Sequence, residues 1–125
     1  MRQVIATADA PEAVGAYSQG IVSGGMLYCS GQLPLDPSTG EIVKLDAAGQ
    51  ARRCLDNLEA VCRSATTTLR RAVKLTVYLA DMADFQVVNA AYEEYFPSEP
   101  PARVAIGVAA LPRGADVEID ALVEV

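Results

Sequence analysis

From Asp46 to Ala65 the apolar residues Ala51, Cys54, Leu55, Leu58, Val61, Cys62 and Ala65 recur at steps of three and four. A helix with that spacing carries one apolar face, which must lie against another apolar surface. Asp46 is a good N-cap, and the polar run Ser64–Thr68 ends the pattern. The segments on either side alternate with a period of two and so read as strands. Gln3–Ala6 is a short one. Ile21–Ser23 and Met26–Ser30 flank Gly24-Gly25, a two-residue hairpin signal, because such turns need positive φ. Ala72–Leu79 places Val73, Leu75, Val77 and Leu79 on one face. Arg103–Val108 and Val117–Val125 are the last two strands, the second with Val117, Ile119, Ala121, Val123 and Val125 inward and Glu118, Asp120 and Glu124 outward. A second helix, capped by Asp81 or Asp84, presents Phe85, Val88, Tyr92, Tyr95 and Phe96, and Pro97 with Pro100-Pro101 stops it. The order predicts an α+β layout, two helices packed on one face of a mixed, mostly antiparallel sheet. With no repeat, low-complexity tract or linker, residues 1–125 read as a single domain.

Several classes of function are excluded or disfavoured. The chain has no histidine, which removes Ser/His and Cys/His nucleophile systems and the imidazole zinc sites. It has neither a dinucleotide-binding glycine fingerprint nor a phosphate-binding loop. Net charge is −6, with Arg70-Arg71-Lys74 the only basic cluster, so nucleic acid and anionic membranes are poor partners. Cys29, Cys54 and Cys62 are odd in number and widely spaced, and read as small core residues. No apolar run approaches membrane-spanning length and no leader pattern precedes the first strand, so the chain reads as soluble and cytoplasmic. Only 21% of residues are charged, little material to coat a monomer, and some apolar surface is expected to meet another subunit. Chemistry must come from carboxylates, arginine, hydroxyls, backbone amides and water.

Arg103 opens an apolar strand that alternates large and small. Arg103, Ala105 and Gly107 share a face, leaving space beside a permanent cation. Such an arginine either grips a small carboxylate through its planar fork or is a solvated charge at a strand entrance. Glu118 lies on the next strand in sequence. If the two strands are neighbours, Glu118 and Arg103 share the non-core face, as a structural ion pair or as the floor of a polar pocket. Tyr17, in the loop Gly15–Gly20, either plugs the end of the sheet or offers a phenol at a pocket rim. Ser30 is a turn hydroxyl or a ligand donor, and Gly31 permits close backbone approach. Asn89 interrupts an apolar helix face, either as a local hydrogen-bonding residue or as a ligand contact.

These residues belong to a longer pattern: Ile5-Ala6-Thr7, Gly15-Ala16-Tyr17-Ser18-Gln19-Gly20, Ser30-Gly31-Gln32-Leu33-Pro34-Leu35-Asp36 and Thr39-Gly40-Glu41. Leu55-Asp56-Asn57-Leu58, Asn89-Ala90-Ala91-Tyr92 and Tyr95-Phe96 follow. A C-terminal signature runs from Pro101-Ala102-Arg103 through Leu111-Pro112 to Val117-Glu118-Ile119. Over nearly the whole chain this resembles the Rid (reactive intermediate deaminase, RidA/YjgF) family.

The resemblance implies a chorismate-mutase-like fold and a homotrimer with clefts at the subunit interfaces. It implies hydrolysis of small 2-imino acids and their enamines to 2-oxo acids and ammonia, with no metal or organic cofactor. Carried over by position, Arg103 binds the substrate carboxylate and Glu118 positions the attacking water. Tyr17, Ser30, Gly31 and Ala105 line the cleft, with Asn89 behind them. Two departures stand out. Ala105 occupies a position where the best-known deaminases have cysteine, which removes a thiol and keeps a backbone N–H. Ser64–Thr68 occupies a region where many members end the helix with glycine. The rival readings are a non-catalytic trimeric binding module for small carboxylate metabolites and a protein- or RNA-interaction role.

Overall fold

A computed structural model describes all 125 residues. Six strands form one sheet in the order β1-β2-β3-β6-β4-β5. They are β1 (Gln3–Ile5), β2 (Gly20–Ser23), β3 (Met26–Gln32), β4 (Ala72–Leu79), β5 (Ala102–Gly107) and β6 (Val117–Glu124). Every pairing is antiparallel except β4–β5, which is parallel. The two helices are α1 (Ala47–Ser64) and α2 (Phe85–Tyr95). The parallel pair follows from the connection: α2 carries the chain back across the sheet between β4 and β5.

Local chemistry accounts for the boundaries. Gly24 and Gly25 both take positive φ, 59° and 77°, as the tight β2–β3 hairpin requires. Asp46 caps α1 by accepting a hydrogen bond from the Gly49 N–H at 2.9 Å. Asp81 caps the short 3-10 turn Met82–Asp84 ahead of α2, while Asp84 stands at the α2 N-cap without a side-chain bond. The C-terminus of α1 ends without glycine: Thr66 itself takes the left-handed conformation, φ 61°, and the Thr67 N–H closes onto the Cys62 carbonyl.

The core lies between α1, α2 and one face of the sheet. Leu27, Leu75, Val77, Leu79, Val117, Ile119, Ala121 and Val123 meet Cys54, Leu55, Leu58, Val61, Cys62, Val88 and Tyr92 there. All three cysteines are buried and free. The opposite sheet face carries no helix and leaves Tyr28, Val104 and Ile106 exposed, with Glu118, Asp120 and Leu122 half-buried.

Two residues depart from the expected core set. Val73 is half-exposed, because the β4–β6 register shifts between Ala72 and Lys74 and turns it out of the alternation. Val125 lies past the end of β6 and is exposed. No helix is long and apolar enough to cross a membrane.

Candidate active site

The chemistry-bearing residues fall into two groups. Glu118 anchors the first. It pairs with Tyr78 of β4 and points to the open sheet face, half-buried. Its carboxylate makes no hydrogen bond or ion pair within the chain. Burial, and then the charge of Asp120 two residues on, push its pKa above the ordinary glutamate value. Asp120 itself accepts a hydrogen bond from the Tyr78 hydroxyl at 2.9 Å. Gly31 lies directly against Glu118: a Cβ at position 31 would overlap Oε2. The β3–β6 pairing is irregular between Cys29 and Gln32, so the Ser30-Gly31 backbone bulges towards that carboxylate.

Tyr17 joins the same group through the backbone. The Ser30 hydroxyl donates to the Ser18 carbonyl and the Ser30 N–H to that of Gln19. Buried Gln19 holds the loop from behind. Its Nε2 donates to the Pro11 carbonyl at 2.7 Å and its Oε1 accepts the Thr7 N–H at 2.7 Å. Tyr17 itself is half-exposed. Asn57 secures the chain beyond Gly31, donating to the Leu33 and Leu35 carbonyls from full burial in α1.

Arg103 anchors the second group. Its β4 neighbour across the pair is Leu75, a core residue, so Arg103 faces the helix side of the sheet. Its Nη1 donates to Asn89 Oδ1 at 2.7 Å, and Asn89 Nδ2 donates to Glu93 Oε1 at 3.0 Å. The guanidinium carbon lies 5.0 Å from the Tyr92 ring centroid and 5.5 Å from that of Phe85. Arg103 takes part in none of the three ion pairs of the chain, which use Arg52, Arg63 and Arg71. Its charge and its remaining donors are free. A hollow of about 310 Å³ beside it is lined by Asn89, Tyr92, Glu93, Phe96, Pro100, Pro101 and Arg103.

The structure therefore corrects two expectations. Arg103 and Glu118 do not share a face, and their strands are not neighbours, since β4 lies between β5 and β6. Nor does the small-residue face of β5 leave open space. Ala105 packs against the core and Met82 fills the place where a Cβ on Gly107 would be. A larger hollow of about 600 Å³ between β1 and the 7–19 loop includes Tyr17 but neither charge, and small apolar side chains supply most of its lining.

Phe85 and Tyr92 lie over the Arg103 guanidinium and the charge of Asp120 acts on Glu118, and sequence reasoning did not single them out. Asp120 was findable: residues i and i+2 on a strand share a face, so its charge must bear on Glu118. Phe85, Asn89 and Tyr92 stand at i, i+4 and i+7 of one helix, and the two rings were absorbed into its core face.

The site thus belongs to a small α+β chain carrying an unpaired arginine and a half-buried, unpaired carboxylate, two charges its own fold leaves unsatisfied. The chain belongs to the Rid/YjgF family, whose model, described as endoribonuclease L-PSP, matches residues 7–125. It is 44% identical over 122 residues to the human 2-iminobutanoate/2-iminopropanoate deaminase, covering 98% of this chain and 89% of that protein. The crystal structure of RidA from the Antarctic bacterium Psychrobacter sp. PAMC 21119 superposes with a TM-score of 0.93 at 43% identity, covering 98% of this chain and 99% of that one. That of E. coli TdcF with bound serine does so with a TM-score of 0.93 at 36% identity, covering 98% of each.

Proposed function

We propose that this protein is a deaminase that hydrolyses small 2-imino acids to 2-oxo acids and ammonia. It acts as a homotrimer of chorismate-mutase-like single-domain chains, with each site where Arg103 of one copy meets Glu118 of another. The observation that carries the reading is the separation of the two charges. Each is unpaired in its own chain, and they stand on opposite sides of the sheet. Only a second copy can bring the two charges to one cleft, on facing walls with the ligand between them. The apolar residues left uncovered on the open face, Tyr28, Val104 and Ile106, favour such an assembly.

In this site the Arg103 donors hold the substrate carboxylate by charge-assisted hydrogen bonds, fixing the imine carbon in place. Tyr17, Ser30 and Gly31, grouped with Glu118, line the other wall. Glu118 accepts a proton from water as the oxygen adds to the imine carbon. The imine nitrogen takes that proton to give the carbinolamine; Glu118 then carries the hydroxyl proton to nitrogen as well, the C–N bond breaks, ammonia leaves as the carbonyl forms, and Glu118 is left ionised as it began. A pKa raised by burial, and then by Asp120, makes Glu118 a better base than an ordinary glutamate, and such a group supplies about 100- to 10,000-fold. The imine is already electrophilic, so neither a strong nucleophile nor the thiol absent at Ala105 is required. The acidic balance of the chain disfavours an RNA substrate in spite of the family model's description.

Subunit mixing tests the reading. Arg103→Ala and Glu118→Gln are each expected to be inactive in an assay coupled to a dehydratase that generates the imine. Refolded together at equal amounts, random trimers regain roughly a quarter of the parental activity, because intact Arg103 and intact Glu118 meet at that fraction of interfaces. No recovery on mixing places both charges in one chain and removes the interfacial site. A parent that binds 2-oxo acids without turning over imines is instead a carboxylate-binding module.

A further inference from the structure

We infer that Phe85 and Tyr92 are positioning residues for Arg103, an aromatic cradle that aims the guanidinium without neutralising it. The inference rests on the carboxylate-binding role proposed for Arg103 and concerns how that role is achieved. Arg103 is an exposed, multiply rotatable side chain on an edge strand. Left alone it would spread over many rotamers, and a ligand would bear the cost of ordering it. A carboxylate partner would hold it but cancel the charge the ligand needs. The chain does neither. Both rings lie within cation–π range of the guanidinium, and the only hydrogen-bond acceptor it meets is the neutral amide of Asn89. Glu93 acts one step removed, on Asn89 Nδ2, and so fixes which end of the amide faces Arg103.

The Tyr92 hydroxyl sharpens the assignment. Tyr92 is buried, yet its hydroxyl oxygen has no hydrogen-bond partner. A buried phenol without a partner costs stability at its polar end, so the hydroxyl is not what favours tyrosine here. What position 92 supplies to Arg103 is the ring face.

The test uses the full-length protein and two readouts: steady-state kinetics with 2-iminopropanoate, and the Nε–H resonance of Arg103 in arginine-labelled protein, identified by its absence in Arg103→Ala. Phe85→Leu should raise KM roughly threefold, with kcat changed less than twofold, and should shift the Nε–H resonance as the ring current is lost. Phe85→Tyr should restore both. Tyr92→Phe, which keeps the ring, should keep the Nε–H resonance in place. Should Phe85→Leu fold poorly, Phe85→Met serves as the second non-aromatic substitution. An unmoved resonance and unmoved KM in the non-aromatic variants overturns the cradle, as does a resonance shift in Tyr92→Phe equal to that in Phe85→Leu. An Arg103→Ala variant with full activity removes the carboxylate-binding reading instead, and the resonance shift still decides whether the rings hold the guanidinium.

Discussion

Glu118 Oε2 fills the space that a side chain on Gly31 would need. One residue is a carboxylate on β6, the other a backbone stretch in the β3 bulge, and the absence of a Cβ lets them touch. Gly31→Ala is therefore expected to push the carboxylate aside. The chain should still fold with little loss of stability, because what must move is the end of a flexible, half-buried side chain. Imine turnover should fall more than tenfold, through kcat. Paired thermal melts and kinetics check this, and a fully active Gly31→Ala would show that Glu118 need not sit where it does.

Arg103→Ala is expected to leave the melting temperature nearly unchanged, because the side chain is exposed and forms no ion pair. The loss should appear in ligand binding. Removing a charge-assisted hydrogen-bond donor costs about 1.5–3 kcal/mol, or roughly tenfold to more than a hundredfold in affinity for a 2-oxo acid. Arg103→Lys should recover little of it, since an ammonium cannot reproduce the planar fork. Calorimetric titration with pyruvate measures both.

The pH dependence should report Glu118. Burial and Asp120 raise its pKa, so the folded chain retains a proton that the unfolded chain has already released. The stability this contributes is complete below the unfolded glutamate value and is lost as pH rises through the folded one. Glu118→Gln should accordingly melt higher than the parent at neutral pH while its kcat falls about 100-fold or more. Asp120→Asn, which removes the second cause of the shift, should move the acid limb of the rate profile to lower pH. An unmoved limb would assign that ionisation to another group.

Thr66 offers a stability prediction far from the site. A β-branched residue in the left-handed region is strained, at about 1–2 kcal/mol. Thr66→Gly should raise the stability by about 1 kcal/mol with no change in imine turnover, measured by chemical denaturation. An unchanged or lower midpoint would mean that the turn is held in that conformation by other contacts at no cost.

The local patterns carried a long way. Period and punctuation located both helices and every strand to within a residue or two, because a 3.6-residue stripe and a two-residue alternation are properties of the chain alone. Asp46 as a cap and Gly24-Gly25 as a hairpin were both legible, since each is a short-range steric or hydrogen-bonding demand. The sign alternation of β6 likewise put Glu118 on the outward face.

What the sequence left undetermined was which strand lies beside which. Consecutive elements often pair, yet β4 lies between β5 and β6, and the parallel β4–β5 register turns Arg103 towards the helices. Alternation says that Arg103 and Ala105 share a face; whether that face meets α2 or the open side depends on long-range pairing, which no local pattern encodes. The sequence by itself determined the elements, their caps and the chemistry available. The tertiary structure alone decided that the cation and the carboxylate stand back to back across one sheet, because facing is set by hydrogen-bonded neighbours distant along the chain.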